Sequence, residues 1–298
     1  MTANRIDPRG VVVIGVFFVS FSAILVRLSD APPLIIATYR LGFTTLILFP
    51  VFLRDSGLFC VSSSERGWMN GRILLLCIVG GVSLALHFYT WFVSLRLTSV
   101  ASAAVLVNTH PVFIVIGSAI FLKERINRKS LPFIALTFIG SIIIALGDYS
   151  HGSRNLQGDI SALLGAFFVS VYMLVGRTVR KDVSLPLYAF TVYGISTAVL
   201  LLLDLGTTTP LHPYTPREFL IFFLLALVCT IGGHTVFNWA LRYVKPSFVS
   251  TAILGEPVFA SILALLIFRE TPSLYTLLGG VLVIAGIFLF IRITRKDM

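Results

Sequence analysis

Charge is what this sequence has least of. Asp, Glu, Lys and Arg make up 12% of its 298 residues, about half of the ~25% usual in a soluble domain. In its place come uncharged runs close to the ~20 residues that cross a hydrocarbon core of roughly 30 Å. Ten such runs take about 200 residues and leave about 98 for nine loops and two tails, too few for a separate soluble domain. Because the runs are continuous rather than alternating, a β-barrel is excluded, and with it a soluble Rossmann-type enzyme. Cysteine is also scarce: Cys60, Cys77 and Cys229 are odd in number and widely spaced, so they build neither a disulfide framework nor a thiolate metal site. A serine nucleophile elbow, a phosphate-binding loop and an ATP-binding domain are all missing, so the chain reads as no enzyme and needs no cofactor. The net charge of +10 does not indicate nucleic acid, because the basic residues are scattered among short loops and form no stripe.

What the sequence has is hydrophobic length. Charged residues divide it into apolar segments at about 10–26, 32–53, 73–95, 98–122, 130–147, 160–176, 184–203, 218–241, 246–268 and 272–291. Pro32, Pro132, Pro186, Pro216, Pro246 and Pro272 stand near segment starts, where a first helical turn needs no backbone donor. The first segment follows Arg5 and Arg9 as a signal peptide would, but reaches Arg27 without a small-x-small cleavage site and reads as a span. The uncharged run from Leu97 to Leu122 is the longest and leaves room for a tilt or a break. An even number of spans puts both termini on one side. If that side is the cytoplasm, it receives 17 Lys and Arg residues against 5 opposite, with Arg40 inside a span. This bias predicts a multi-pass protein of the cytoplasmic membrane with both termini inside.

The chain also repeats itself. Gly15, Phe17-Phe18-Val19-Ser20 and Arg27 recur 150 residues later as Gly165, Phe167-Phe168-Val169-Ser170 and Arg177. Leu95-Arg96, Pro111, Lys123-Glu124 and Gly140 recur 146 residues later as Leu241-Arg242, Pro257, Arg269-Glu270 and Gly286. Two ordered series with nearly the same offset indicate duplication. The units, residues 1–148 and 149–298, hold five spans each, and an odd number forces the second to enter the membrane from the opposite side. The expected fold is an all-α polytopic membrane protein of ten transmembrane helices arranged as two inverted five-helix repeats, an architecture suited to alternating access.

Ala37-Thr38-Tyr39-Arg40, Pro111 and Pro257, Lys123-Glu124, and above all Glu256-Pro257-Val258-Phe259-Ala260 followed by Arg269-Glu270 resemble the EamA-type branch of the drug/metabolite transporter superfamily over roughly residues 10–292. The resemblance implies a central cavity formed mainly by spans one, three, four, six, eight and nine, and export of small organic solutes. His110 stands where the repeat would place a partner for Glu256, so no symmetric carboxylate pair is implied.

A polar side chain in hydrocarbon is expensive unless it faces protein or water, which makes each one a candidate for the pathway. Glu256 precedes Pro257, whose missing N–H frees the carbonyl of Ile253. It reads either as a cation or proton site or as a neutral carboxyl capping a broken helix, since burial raises a carboxylate pKa. His110-Pro111, with Asn108 nearby, is the counterpart in span four; the imidazole either meets substrate or satisfies the carbonyl of Val107. Thr230, His234 and Asn238, spaced i, i+4 and i+8, predict one inward polar stripe in span eight. Span three offers His87 and Trp91 one turn apart, an aromatic surface that either suits an amphiphilic solute or serves packing. Arg40, nine residues into its segment, reads as a functional cation or as a side chain that snorkels to the interface. Lys123-Glu124 and Arg269-Glu270 read as helix ends and gate contacts. With no local His cluster, no metal is expected.

The leading expectation is therefore a secondary transporter that exports small organic metabolites, amino acids or amphiphilic solutes, by alternating access. A proton is the candidate coupling ion, and membrane lipid is a further partner. The competing expectation is a non-coupled channel or a lipid flippase-like protein.

Overall fold

The structure is a computed structural model that describes residues 8–55, 71–121, 129, 131–149, 153–207, 210–240, 243, 249 and 252–294. Everything regular in it is helical. Helices α1 (Pro8–Leu28), α2 (Pro33–Asp55), α3 (Gly71–Leu97), α4 (Val100–Val107), α5 (His110–Phe121) and α6 (Leu131–Tyr149) make up the first half. The second holds α7 (Ser153–Val179), α8 (Leu185–Thr207), α9 (Pro216–Leu224), a π-helical stretch at Leu225–Thr235, α10 (Val236–Ala240), α11 (Gly255–Phe268) and α12 (Leu274–Thr294). Among the described residues, seven stretches are long and apolar enough to cross a membrane: those given by α1, α2, α3, α4 with α5, α7, α8, and α9 through α10. Leu131–Gly147, Gly255–Phe268 and Leu274–Phe290 are apolar but shorter. The protein is thus a multi-pass membrane protein.

Local chemistry accounts for the breaks between helices. Ser99 caps α4, its side chain accepting from the Ser102 amide at 3.0 Å, and Thr215 caps α9 just before Pro216. The long run from Leu97 does break: α4 ends at Val107, Asn108 and Thr109 turn, and α5 begins at His110 beside Pro111. In the second half Leu254 turns and α11 begins at Gly255, with Glu256 and Pro257 in its first turn. A proline that cannot donate to the preceding turn is tolerated there because the helix is only starting.

Helix packing follows the position of small residues. α3 lies along α7 and α8, α2 along α8, α6 along α12, and α1 between the π stretch and α11. At the α6–α12 crossing, Gly140 and Gly279 bring the two backbones into direct contact. A Cβ built at Gly140 would lie 2.6 Å from the Gly279 carbonyl oxygen, so only glycine permits this approach. The largest apolar core joins α1, α2, α3, α4, α7, α8, α9, the π stretch and α11. Leu46, Leu202, Leu266 and Val281 instead point outward and stay exposed, as expected of a surface that meets lipid.

Candidate functional site

Both helix breaks open onto one cavity, with about 580 Å³ of atom-free space counting its open mouth. α1 contributes Val19, α3 His87 and Trp91, the first break Val107, Asn108 and His110, and α7 Val169, Tyr172 and Met173. His234, Phe237 and Asn238 enter from the π stretch and α10, and Ile253 and Glu256 from the second break. Seven of the residues singled out in the sequence therefore share one space, although they come from positions as far apart as 87 and 256.

Each polar group has a definite setting. The Glu256 carboxylate accepts from Asn108 Nδ2 at 3.5 Å, so the two breaks touch across the halves. Asn108 Nδ2 also donates to the Ala104 carbonyl at 2.9 Å, while its Oδ1 is buried without a partner. His110 Nδ1 lies 3.4 Å from the Val107 carbonyl and its Nε2 has no partner. The two readings of this histidine are thus not exclusive: one ring nitrogen answers the broken helix and the ring still lines the cavity. His87 Nδ1 meets the Gly165 carbonyl at 2.9 Å, and its ring stacks on Trp91 with centroids 5.8 Å apart. Asn238 Nδ2 donates to the Tyr172 hydroxyl at 2.7 Å.

Two expected residues stand elsewhere. Thr230 does not line the cavity; its hydroxyl accepts from Arg40 Nε at 2.7 Å and donates to the Leu225 carbonyl at 3.1 Å. The stripe Thr230, His234, Asn238 is split because Leu225–Thr235 is π-helical. Hydrogen bonds running i to i+5 widen the turn, so i+4 spacing no longer keeps side chains on one face. Arg40 does not snorkel: it is fully buried, donates to Ser22 Oγ at 2.7 Å as well as to Thr230, and places its guanidinium 4.2 Å from the Phe88 ring centre. Pro111 and Pro257 sit at the two breaks, and Lys123 and Glu124 fall outside the described residues. Sequence reasoning passed over Tyr172 and Ser170, which donates to the His110 carbonyl at 2.9 Å. The repeated Phe-Phe-Val-Ser motif was the signal for Ser170, its one polar residue, and Tyr172 lies two residues beyond it.

At one end of the bundle polar bonds join the two halves. Arg27 pairs with Glu270 at 3.1 Å and donates to the Leu95 carbonyl at 2.7 Å. Glu270 also accepts from the Val100 amide at 2.7 Å. Glu218 takes hydrogen bonds from the Ser29 hydroxyl and the Asp30 amide, and Arg96 donates to the Ser29 and Ala31 carbonyls. Arg269 ends α11 in the left-handed region at φ 56°, which turns the chain so that Glu270 faces α1 and α4.

Residues 10–146 and 156–292 each match the EamA-like transporter family. The chain belongs to that family. Similar proteins include an uncharacterized transporter of Archaeoglobus fulgidus, 26% identical over 91% of each chain. Solute carrier family 35 member G1 of Homo sapiens is 25% identical over 92% of this chain and 77% of its own. The pseudopaline exporter of Pseudomonas aeruginosa is 23% identical over 88% of this chain and 86% of its own. A solved crystal structure with 17% identity and a TM-score of 0.65, covering 98% of this chain and 99% of its own, has the same fold. This EamA-like transporter is therefore a membrane protein that moves small solutes, and membership in a transporter family agrees with the lack of enzyme motifs. Its two matched segments are two EamA-like repeats.

Proposed function

We propose that the protein is a secondary transporter that exports small organic metabolites by alternating access. It would do so with ten spans in two inverted repeats, 1–148 and 149–298, and both termini in the cytoplasm. The observation that carries this reading is the cavity between the helix breaks, in a bundle whose halves are joined at one end by polar bonds. The helix contacts support it. Exchanging the halves turns the packing of α1 on the π stretch into that of α7 on α3, and maps α2–α8 and α6–α12 onto themselves, as an inverted pair requires. The short apolar helices then complete the fifth, ninth and tenth spans.

In this reading His87, Trp91, Asn108, His110, His234, Asn238 and Glu256 line the substrate path. Pro111 and Pro257 allow the breaks to flex, and Thr230 serves through Arg40. Arg27, Glu218 and Glu270 form a gate on the non-cytoplasmic side. Glu256 is the proposed proton carrier, because a carboxylate can be neutral in one state and charged in the other.

The test is counterflow in proteoliposomes with a broad panel of radiolabelled metabolites. Saturable exchange by wild type that falls at least about tenfold in H110A supports the reading. Non-saturating flux or single-channel conductance refutes it and favours an open pore.

A further inference from the structure

Hydrogen-bond bookkeeping inside the cavity says more than its size. A backbone carbonyl only accepts. His87 Nδ1 faces the Gly165 carbonyl and His110 Nδ1 faces that of Val107, so in each neutral ring Nδ1 carries the proton and Nε2 keeps a lone pair. His110 Nε2 is buried with no partner, and so is Asn108 Oδ1. Its amide nitrogen being engaged by the Ala104 carbonyl and Glu256, this side chain too offers only an oxygen. Glu256 adds a carboxylate that accepts a long hydrogen bond from Asn108 Nδ2 at 3.5 Å. These acceptors belong to both halves and meet at the two breaks. In return the cavity holds the Trp91 Nε1 donor, also unpartnered, and His234 Nε2, which can play either part. The nearby cation Arg40 does not line the cavity; Thr230 and Ser22 engage its Nε and Nη1, and its Nη2 is buried without a partner among the described residues. Asn238 donates to the Tyr172 hydroxyl, and the rest of the wall is apolar, with Val19, Val169, Met173, Phe237 and Ile253.

Buried acceptors left open carry a penalty until something donates to them. We infer that the cavity recognises a small amphiphilic cation whose head bears several N–H donors, a primary ammonium or a guanidinium, and rejects fully methylated ammonium and anionic heads. A head with three N–H groups has a donor for each of Glu256, His110 Nε2 and Asn108 Oδ1, whereas a trimethylammonium supplies charge and no donor. A site built to bond a polar hydrogen discriminates strongly against the analogue without it, because the site's own groups are then left unpaired. The inference rests on the transporter reading only for its biological meaning, since recognition is measurable without transport.

The experiment is equilibrium binding to purified full-length protein in detergent at neutral pH. The probes are 2-phenylethylammonium, its N,N,N-trimethyl derivative, 3-phenylpropanoate, and 2-phenylethylammonium with two methyl groups on the carbon next to nitrogen. The last keeps all three N–H groups at nearly the bulk of the trimethyl compound. The primary ammonium and its carbon-methylated relative are expected to bind alike, the trimethyl compound at least about tenfold more weakly, and the carboxylate not at all. E256Q should remove most of the preference for the primary ammonium over the trimethyl compound. Equal or tighter binding of the trimethyl compound or the carboxylate overturns the inference, as does failure of both primary ammonium compounds to bind at millimolar concentration. The expected ranking without counterflow would refute transport and leave the inference standing. Counterflow with the opposite ranking would do the reverse.

Discussion

Substituting Gly140 by alanine tests the packing that holds α6 against α12. The new Cβ would meet the Gly279 carbonyl oxygen at 2.6 Å and the Val283 amide nitrogen at 2.9 Å. Ordinary contact begins near 3.4 Å, so the helices must part by roughly 0.8 Å at the crossing. Backbone atoms cannot rotate away as a side-chain tip can. Overpacking of this kind costs about 1–3 kcal/mol, while the better helix propensity of alanine offsets up to about 1 kcal/mol. The expected net loss is about 1–2 kcal/mol, a fall of several degrees in the unfolding midpoint. G206A is the matched control: nothing lies within 4 Å of a Cβ there, so the propensity gain stands alone and the midpoint stays level or rises. G140A and G279A relieve their clashes by the same separation, so the double variant should lose less than the sum of the singles. Thermal unfolding in one detergent compares all four. A G140A protein as stable as wild type, beside a well-behaved G206A, would refute the glycine-mediated contact.

T230V should destabilise by about 1.5–3 kcal/mol, the range for a hydrogen bond to a charged group, because it leaves Arg40 Nε buried and unpaired; thermal unfolding of T230V against T230S checks this. R269G should be neutral or stabilising by up to about 1 kcal/mol, since glycine adopts the left-handed conformation at φ 56° without strain. E270Q should speed reaction of a cysteine placed at Asn238 with an impermeant thiol reagent applied outside, whereas D30N should not, its pair with Arg217 being mostly exposed; equal rates in the two would remove Arg27–Glu270 as a gate. In the proposed orientation a cysteine near Arg66 is protected from that reagent in intact cells, and one at Leu211 is labelled; the reverse pattern inverts the topology. E256Q should keep substrate exchange in proteoliposomes but lose its acceleration by an imposed pH gradient, and unchanged acceleration would leave Glu256 a structural role beside Pro257.

By itself the sequence determined whatever depends on short stretches of chain. Scarcity of charge gave the apolar spans, because one Lys or Asp in hydrocarbon outweighs many neighbours. Pro111 and Pro257 marked both helix breaks, because a missing N–H acts on the adjacent turn whatever the fold. The repeated Pro111 and Pro257, with His110 and Glu256 before them, even foretold that the breaks correspond. Tertiary structure alone decided which polar groups face each other. Thr230 and His234 look equivalent at i and i+4, yet the π-helical turn gives one to Arg40 and the other to the cavity. Arg40 reads as a snorkelling cation until Ser22 and Thr230 enclose it. Arg27 and Glu270 join across 243 positions, and no local pattern could pair them. Spacing fixes the direction of a side chain only where the helical period is known, and contact between distant segments depends on how every intervening helix packs.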